Sequence, residues 1–324
     1  MIVILLPINV FLNNKTILMK RVIHTVCLLL CIISEVNACD ICGCGVGNNY
    51  LGILPEFSRK IVGVRYRYSA LLTHVGVGGA TTYLTTNEQY RTVEAWGGWN
   101  ISNRFRVMAS VPYSFNERVN QGDTRSKNGI GDITVSGFYQ LINKRHTING
   151  HQLLVQSLWI GGGVKLPTGK YNPKDKSSQA QTNLFQLGTG SVDFMFNAMY
   201  DVRLQDAGLN LAASYKMNTA NKYDYTYGNK LSSSAQAYYK FRIKNVLTVA
   251  PNAGVLCETA AHDVDQKFPV DISGGHVLMA TAGMEAIFKK IAIGGNWQPP
   301  LSQKLANGIV KAKQRMMLHV SVML

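Results

Sequence analysis

The chain has 324 residues and a formal net charge of +15, with charged residues making up only 16%, against about 25% in ordinary soluble proteins. Mean hydropathy is close to zero, yet no run of about 18 apolar residues follows position 40, which excludes a helical membrane protein. The basic residues are scattered singly along alternating stretches and form no basic helix, so the charge does not indicate nucleic-acid binding.

The first segment reads as an address. Met19-Lys20-Arg21 opens a basic region, Val26 to Ile33 is a short apolar core, and Val36-Asn37-Ala38 supplies the small residues that a signal peptidase reads. Residues 1–38 are therefore predicted to be a secretory signal, with Met19 as the expected true start and Cys39 as the first mature residue. Without that segment the net charge is +13, because Lys15, Lys20, Arg21 and Glu35 leave with it.

Residues 39–59 form a predicted periplasmic tail that carries Cys39, Cys42 and Cys44. Export allows disulfides to form and persist. Three chemistries fit the cluster: a disulfide such as Cys39–Cys42 with a spare thiol, a soft-cation site for copper or zinc, and lipidation of Cys39. A structural zinc site wants a fourth ligand. Cys27 and Cys31 leave with the signal, and the remaining cysteine, Cys257, is predicted near the outer end of a strand. A barrel wall about 25 Å tall separates it from the tail. Val36-Asn37-Ala38-Cys39 matches a lipobox only at its ends.

From residue 60 to 324 the sequence alternates. Val62, Val64, Tyr66 and Tyr68 share one face of a strand and Gly63, Arg65 and Arg67 the other. Phe105 to Tyr113, Asp132 to Leu141, Leu209 to Met217 and Ala312 to Leu324 repeat the pattern, and weaker candidates lie at 88–101, 152–167, 190–201, 230–242, 246–258, 275–287 and 290–299. The sum is about twelve strands, an even number, as single-chain outer-membrane barrels require. Tight links (Ile101 to Arg104, Arg242 to Asn245, Phe288 to Lys290) alternate with long polar ones at 72–87, 115–129, 168–189, 218–229, 259–274 and 300–311. Short periplasmic turns and long outer loops are the habit of such barrels. The predicted fold is therefore all-β, a transmembrane antiparallel up-and-down barrel. The glycines of Trp159 to Gly163 would leave curvature or space in its lumen.

Three phrases meet long loops at strand ends: Gly129-Ile130-Gly131-Asp132, Leu166-Pro167-Thr168-Gly169 and Gly188-Thr189-Gly190-Ser191-Val192-Asp193. Their order and spacing over residues 88–324 resemble the outer-membrane barrels grouped with the meta-pathway phenol-degradation transporters. A closer resemblance is to predicted outer-membrane transporters that open with the same Cys-Asp-Ile-Cys-Gly-Cys phrase. The resemblance implies a transporter-like barrel in the cell outer membrane and carries no substrate. Such barrels commonly end in an aromatic residue, whereas this one ends in Leu324 with its alternation intact.

The lumen is the candidate site. Arg65, Arg67, Arg91, Arg106, Lys165, Lys216, Lys313 and Arg315 are predicted to face it, with fewer acids: Glu94, Asp132, Asp193, Glu258 and Glu285. A basic lining would favour anions; the same residues paired across the lumen would close it. Eight strands make a filled barrel and sixteen a watery one, so twelve does not decide. Asp132 and Asp193, behind glycines at strand starts, also suit turn chemistry. His262, Asp263 and Asp265 form a ligand-like group in an outer loop, where a solvated loop is the ordinary reading. No Gly-x-Ser-x-Gly, His-Glu-x-x-His or phosphate loop is present, and Ser321 and His319 are predicted inward instead of on the outer wall, so no enzyme is expected. The expected function is a pore or transporter for small solutes, with outer-membrane lipid and an unknown solute as partners. The alternatives are a metal-linked barrel and a closed structural barrel.

Overall fold

The computed structural model describes residues 60–148, 152–175, 183–244 and 246–324. Among these, no helix is long and apolar enough to cross a membrane; the chain is built of strands. In chain order they are β1 (Ile61–Thr73), β2 (Thr86–Asn100), β3 (Phe105–Asn120), β4 (Asp123–Ile130), β5 (Ile133–Ile148), β6 (Gln152–Leu166), β7 (Asp193–Leu204), β8 (Ala207–Met217), β9 (Tyr225–Thr226), β10 (Lys230–Tyr239), β11 (Phe241–Ile243), β12 (Leu247–Ala260), β13 (Val264–Asp265), β14 (Phe268–Pro269), β15 (Gly275–Phe288), β16 (Ile291–Gln298), β17 (Pro300–Leu305) and β18 (Lys311–Met323).

Each strand of the main sheet pairs antiparallel with its neighbours, β1 with β18 and β12 with β15 among them, so the sheet closes on itself. Three staves are each made of two segments. β4 and β5 face β3 on either side of a break at Gly131-Asp132. Pro112, which has no N–H to give, sits opposite that break and accepts from Gly131 N–H (2.9 Å). β16 and β17 face β15 on either side of Pro299, and β10 and β11 face β12. Counted this way the barrel has twelve staves. The short β9, β13 and β14 form a separate three-stranded sheet in the outer loops.

Two expected loops turn out to be largely strand. Residues 115–129, predicted as a link, extend β3 and fold back as β4 around the two-residue turn Gln121-Gly122, both at positive φ, the backbone that tight hairpins need. Most of 300–311 is β17 and the start of β18. Polar composition misled here because these hairpins stand above the membrane, where both faces meet water or loop.

Burial is inverted relative to a soluble protein. Val64, Ile293, Leu318 and Phe196 are exposed along the wall, while Arg65, Glu94, Glu258, Glu285 and Arg315 are buried inside. The exposed apolar belt is what lipid covers. Inside, apolar side chains gather at two levels: Trp96, Met108, Phe138, Trp159, Met199 and Met323 in one cluster, and Leu71, Tyr90, Leu184, Phe185, Leu256, Val277, Met279 and Leu305 in another. Charged side chains and neutral ones such as Asn116, Gln140, Asn197 and Asn252 line the rest of the interior.

Candidate functional site in the barrel lumen

The period of two places Arg65 and Arg67 of β1 on one face, and register sets Glu94 of β2 directly opposite Arg65. Both guanidinium groups reach that carboxylate at 3.1 Å. Glu258 of β12 is fully buried and takes Arg315 at 2.8 Å and Lys230 at 3.3 Å. Arg315 comes from β18, three staves away, so this pair bridges distant parts of the wall. Glu88 accepts from Arg118 at 2.8 Å and from the Tyr90 hydroxyl. His319 Nε2 lies 3.8 Å from Glu285 Oε1.

Glycine provides the room. A Cβ on Gly294 would lie 2.3 Å from His319 Nε2, and one on Gly98 2.3 Å from Arg106 Nη2. In the glycine run of β6, Gly161 and Gly163 admit Phe138 and Ser136 of β5 in the same manner, at 2.5 and 2.2 Å. These glycines hollow the wall for neighbouring inward side chains.

The three glycine-rich phrases converge on Lys165. Its Nζ bridges Asp132 (2.5 Å) and Asp193 (2.8 Å), and all three side chains are almost completely buried. Asp132 also accepts from Gly169 N–H through Oδ1 and from Thr189 N–H through Oδ2, each at 2.9 Å. Asp193 Oδ1 accepts from the Ser191 hydroxyl (2.8 Å) and from Thr219 N–H (3.1 Å). Thr168 donates to Gly131 O (2.7 Å) and accepts from Ile133 N–H (2.9 Å). The two aspartates thus do cap backbone, as turn residues do, but the backbone belongs largely to other loops. One knot of ionic and main-chain bonds fixes where the β6–β7 loop leaves and re-enters the wall.

That loop enters the lumen. Leu184 and Phe185 pack in one cluster with Leu71, Tyr90, Val277, Met279 and Leu305, which belong to β1, β2, β15 and β17, staves that are not neighbours of β6 or β7. The near wall holds the same segment by polar contacts. Asn116 Nδ2 donates to Gln186 O (3.1 Å), Lys127 Nζ donates to Phe185 O (2.7 Å), and Arg118 lies 4.5 Å from the Phe185 ring centroid. Residues 183–188 therefore cross the outer part of the lumen.

Of the residues expected inside, Arg65, Arg67, Glu94, Arg106, Asp132, Lys165, Asp193, Lys216, Glu258, Glu285 and Arg315 do turn inward. Two do not. β2 alternates without a break from Thr86 to Gly98, which puts Glu88, Glu94 and Trp96 inside and Arg91 outside, where it bonds Gln89 (2.6 Å) and approaches Glu117 (3.8 Å). Arg91 and Glu94 are three apart and cannot share a face of an unbroken strand. Lys313 is exposed because the β1–β18 register shifts between Arg315 and Ala312, which spoils the period there. Glu88 and Lys230 are lumen charges that the sequence reading missed, although parity with Glu94 marks the first. Nothing in the sequence signalled the inward path of 183–188.

Among the described residues no group of three metal-ligating side chains is close enough to hold an ion. Asp263 is fully buried instead, accepting from the Tyr225 hydroxyl and from Gly228 N–H (2.9 Å), and it ties the 218–229 and 261–274 loops together. Cys257 carries a free thiol on β12. Cys39, Cys42 and Cys44 lie outside the described residues.

A closed antiparallel barrel with an apolar exterior and an ionic interior is a transmembrane barrel of the outer-membrane class, and the chain is placed in the outer membrane. Its family follows from the sequence: residues 68–288, more than half of the chain, match the family described as "Putative MetA-pathway of phenol degradation", and the chain belongs to it. No curated protein matches it by sequence. Among solved structures, its fold is similar to that of an outer membrane channel from Pseudomonas putida F1, with a TM-score of 0.54 and 13% identity over 86% of this chain and 98% of that one. The beta domain of the Bordetella autotransporter Brka is more distant, at a TM-score of 0.43 and 10% identity over 81% and 99% of the two chains.

Proposed function

We propose that this chain is an outer-membrane pore for small solutes, without enzymatic activity, whose conducting path is limited by residues 183–188. The observation that carries the reading is the ionic interior. Buried ion pairs are seldom the most stable way to fill a core, and apolar replacements of similar volume often match or exceed them. A barrel with only a structural role gains little from Glu94, Glu258, Lys165 and Arg315 inside. A path for polar solutes needs such groups. Inward cations slightly outnumber inward acids, which supports a weak anion preference.

Planar-bilayer recording tests this. The full chain is expected to give small, fluctuating currents with a modest anion preference in a salt gradient, and replacement of residues 184–187 by glycine and serine should raise the conductance. Absence of current in both proteins, each shown to be folded, would reject the pore. The N-terminal cysteines are kept apart from this function. Their role as copper or zinc ligands is a separate proposal, met by metal titration of reduced protein; equal binding by the chain and by its Cys42→Ser/Cys44→Ser variant would end it.

A further inference from the structure

The two ends of the barrel differ in charge. The inner end, which has the tight turns, carries cations at three of its five hairpin turns, Arg104, Lys244 and the adjacent Lys289 and Lys290, and Lys144 stands on β5 four residues before that strand ends. Lys60 adds another where the described wall begins, and all six are exposed. Acids are scarce there among the described residues. Asp206 is engaged by Arg242 at 2.9 Å, and Asp201 accepts from the Tyr238 hydroxyl at 3.0 Å. The outer loops, by contrast, mix lysines with Asp123, Asp175, Asp224, Asp265 and Asp271.

Where these cations sit says what they meet. Lys60 Nζ lies 5.2 Å from the centroid of Trp99, and Lys289 Nζ lies 5.4 Å from that of Phe288. Both rings are on the outward face and about half exposed (49% and 48%). Tyr239 and Phe241, 4.8 Å apart and exposed, extend the same girdle. Aromatic rings on the outside of a barrel mark the level of the lipid headgroups. Lysines stacked on them hold their ammonium groups at phosphate depth, outside the wall and away from the lumen.

We propose that the inner rim is an electropositive collar that binds anionic phospholipid headgroups of the periplasmic leaflet. Each cation near an anionic surface strengthens attraction by about fivefold at moderate salt, and several act together around the rim. The inference rests on membrane placement and not on solute conduction, so a barrel that passes no current leaves it standing.

The test uses the full chain in phosphatidylcholine vesicles containing either dibrominated phosphatidylglycerol or dibrominated phosphatidylcholine. A Trp297→Phe background removes the other outward indole, so bromine quenching reports on Trp99. At equal bromine content, phosphatidylglycerol is expected to quench at least about threefold more effectively, and high salt should erase the difference. Lys60→Gln/Arg104→Gln/Lys244→Gln/Lys289→Gln/Lys290→Gln should lose the preference, while Lys222→Gln/Lys267→Gln in the outer loops and a lysine-to-arginine version of the inner set should keep it. If the five-site variant does not fold, the exposed pair Lys289→Gln/Lys290→Gln should halve the preference or more. Equal quenching by both lipids in the parent protein overturns the proposal. So does an inner-rim variant that keeps its lipid preference but loses anion selectivity in conductance, since the collar would then serve solute entry.

Discussion

Gly169 and Gly188 lie back to back: a Cβ added to either would sit 2.8 Å from the Cα of the other, and one on Gly188 would also lie 2.2 Å from Asp132 Oδ1. The contact lets the departing and returning ends of the β6–β7 loop share one carboxylate. Gly188→Ala is expected to destabilise the barrel by about 1–3 kcal/mol through overpacking, read as a lower urea midpoint for refolded protein in lipid. Gly122→Ala, where nothing lies within 4 Å but φ is +84°, should be milder, at roughly 1 kcal/mol.

Lys165 neutralises two buried aspartates. Lys165→Met leaves both carboxylates without their cation, a loss on the order of 3–5 kcal/mol. The triple variant Lys165→Met/Asp132→Asn/Asp193→Asn removes the stranded charge and should recover part of that loss. The check is the temperature at which the SDS-resistant barrel unfolds on gels. Equal values for the single and triple variants would show that ionic compensation is not the reason these residues are present.

Glu94 holds Arg65 and Arg67. Glu94→Gln shifts the interior by one positive charge without changing its volume. A greater preference for chloride over potassium is expected, read as a change in reversal potential under a tenfold gradient. Arg91→Gln, on the outer face, should leave selectivity as it was.

Asp263 joins two outer loops through Tyr225 and Gly228. Asp263→Ala leaves a buried hydroxyl and a backbone donor without their acceptor, at about 1–3 kcal/mol each at most. The effect should stay local. Trypsin is expected to cut faster after the exposed Lys222 and Lys267 while the barrel keeps its heat-dependent gel mobility.

Residue alternation made most of the wall legible. In β1, β3, β8 and the last eight residues of β18, each odd–even division in the sequence is a lipid–lumen division in space. It failed where the period slips or was read across both parities. The register shift beside Ala312 turned Lys313 outward, and Arg91 stands at an odd position of a strand whose even positions face in. Pairing was less legible than facing. Lys165 and Asp132 are 33 residues apart, and Arg315 and Glu258 are 57 apart; only the stagger of the closed sheet brings each pair to one depth.

The sequence by itself determined the class of fold, because a chain that must satisfy every backbone group in lipid and alternates apolar with polar side chains can only close into a barrel. It also carried the apolar belt and most of the inward charges, which are local properties of a strand. Tertiary structure decided what those charges do. Closure pairs cations with acids across staves, and Leu184 and Phe185 find their apolar partners on a wall that no local pattern names. Whether a polar lining is bare or neutralised depends on distances between strands far apart in the chain, and those distances are set by closure and stagger.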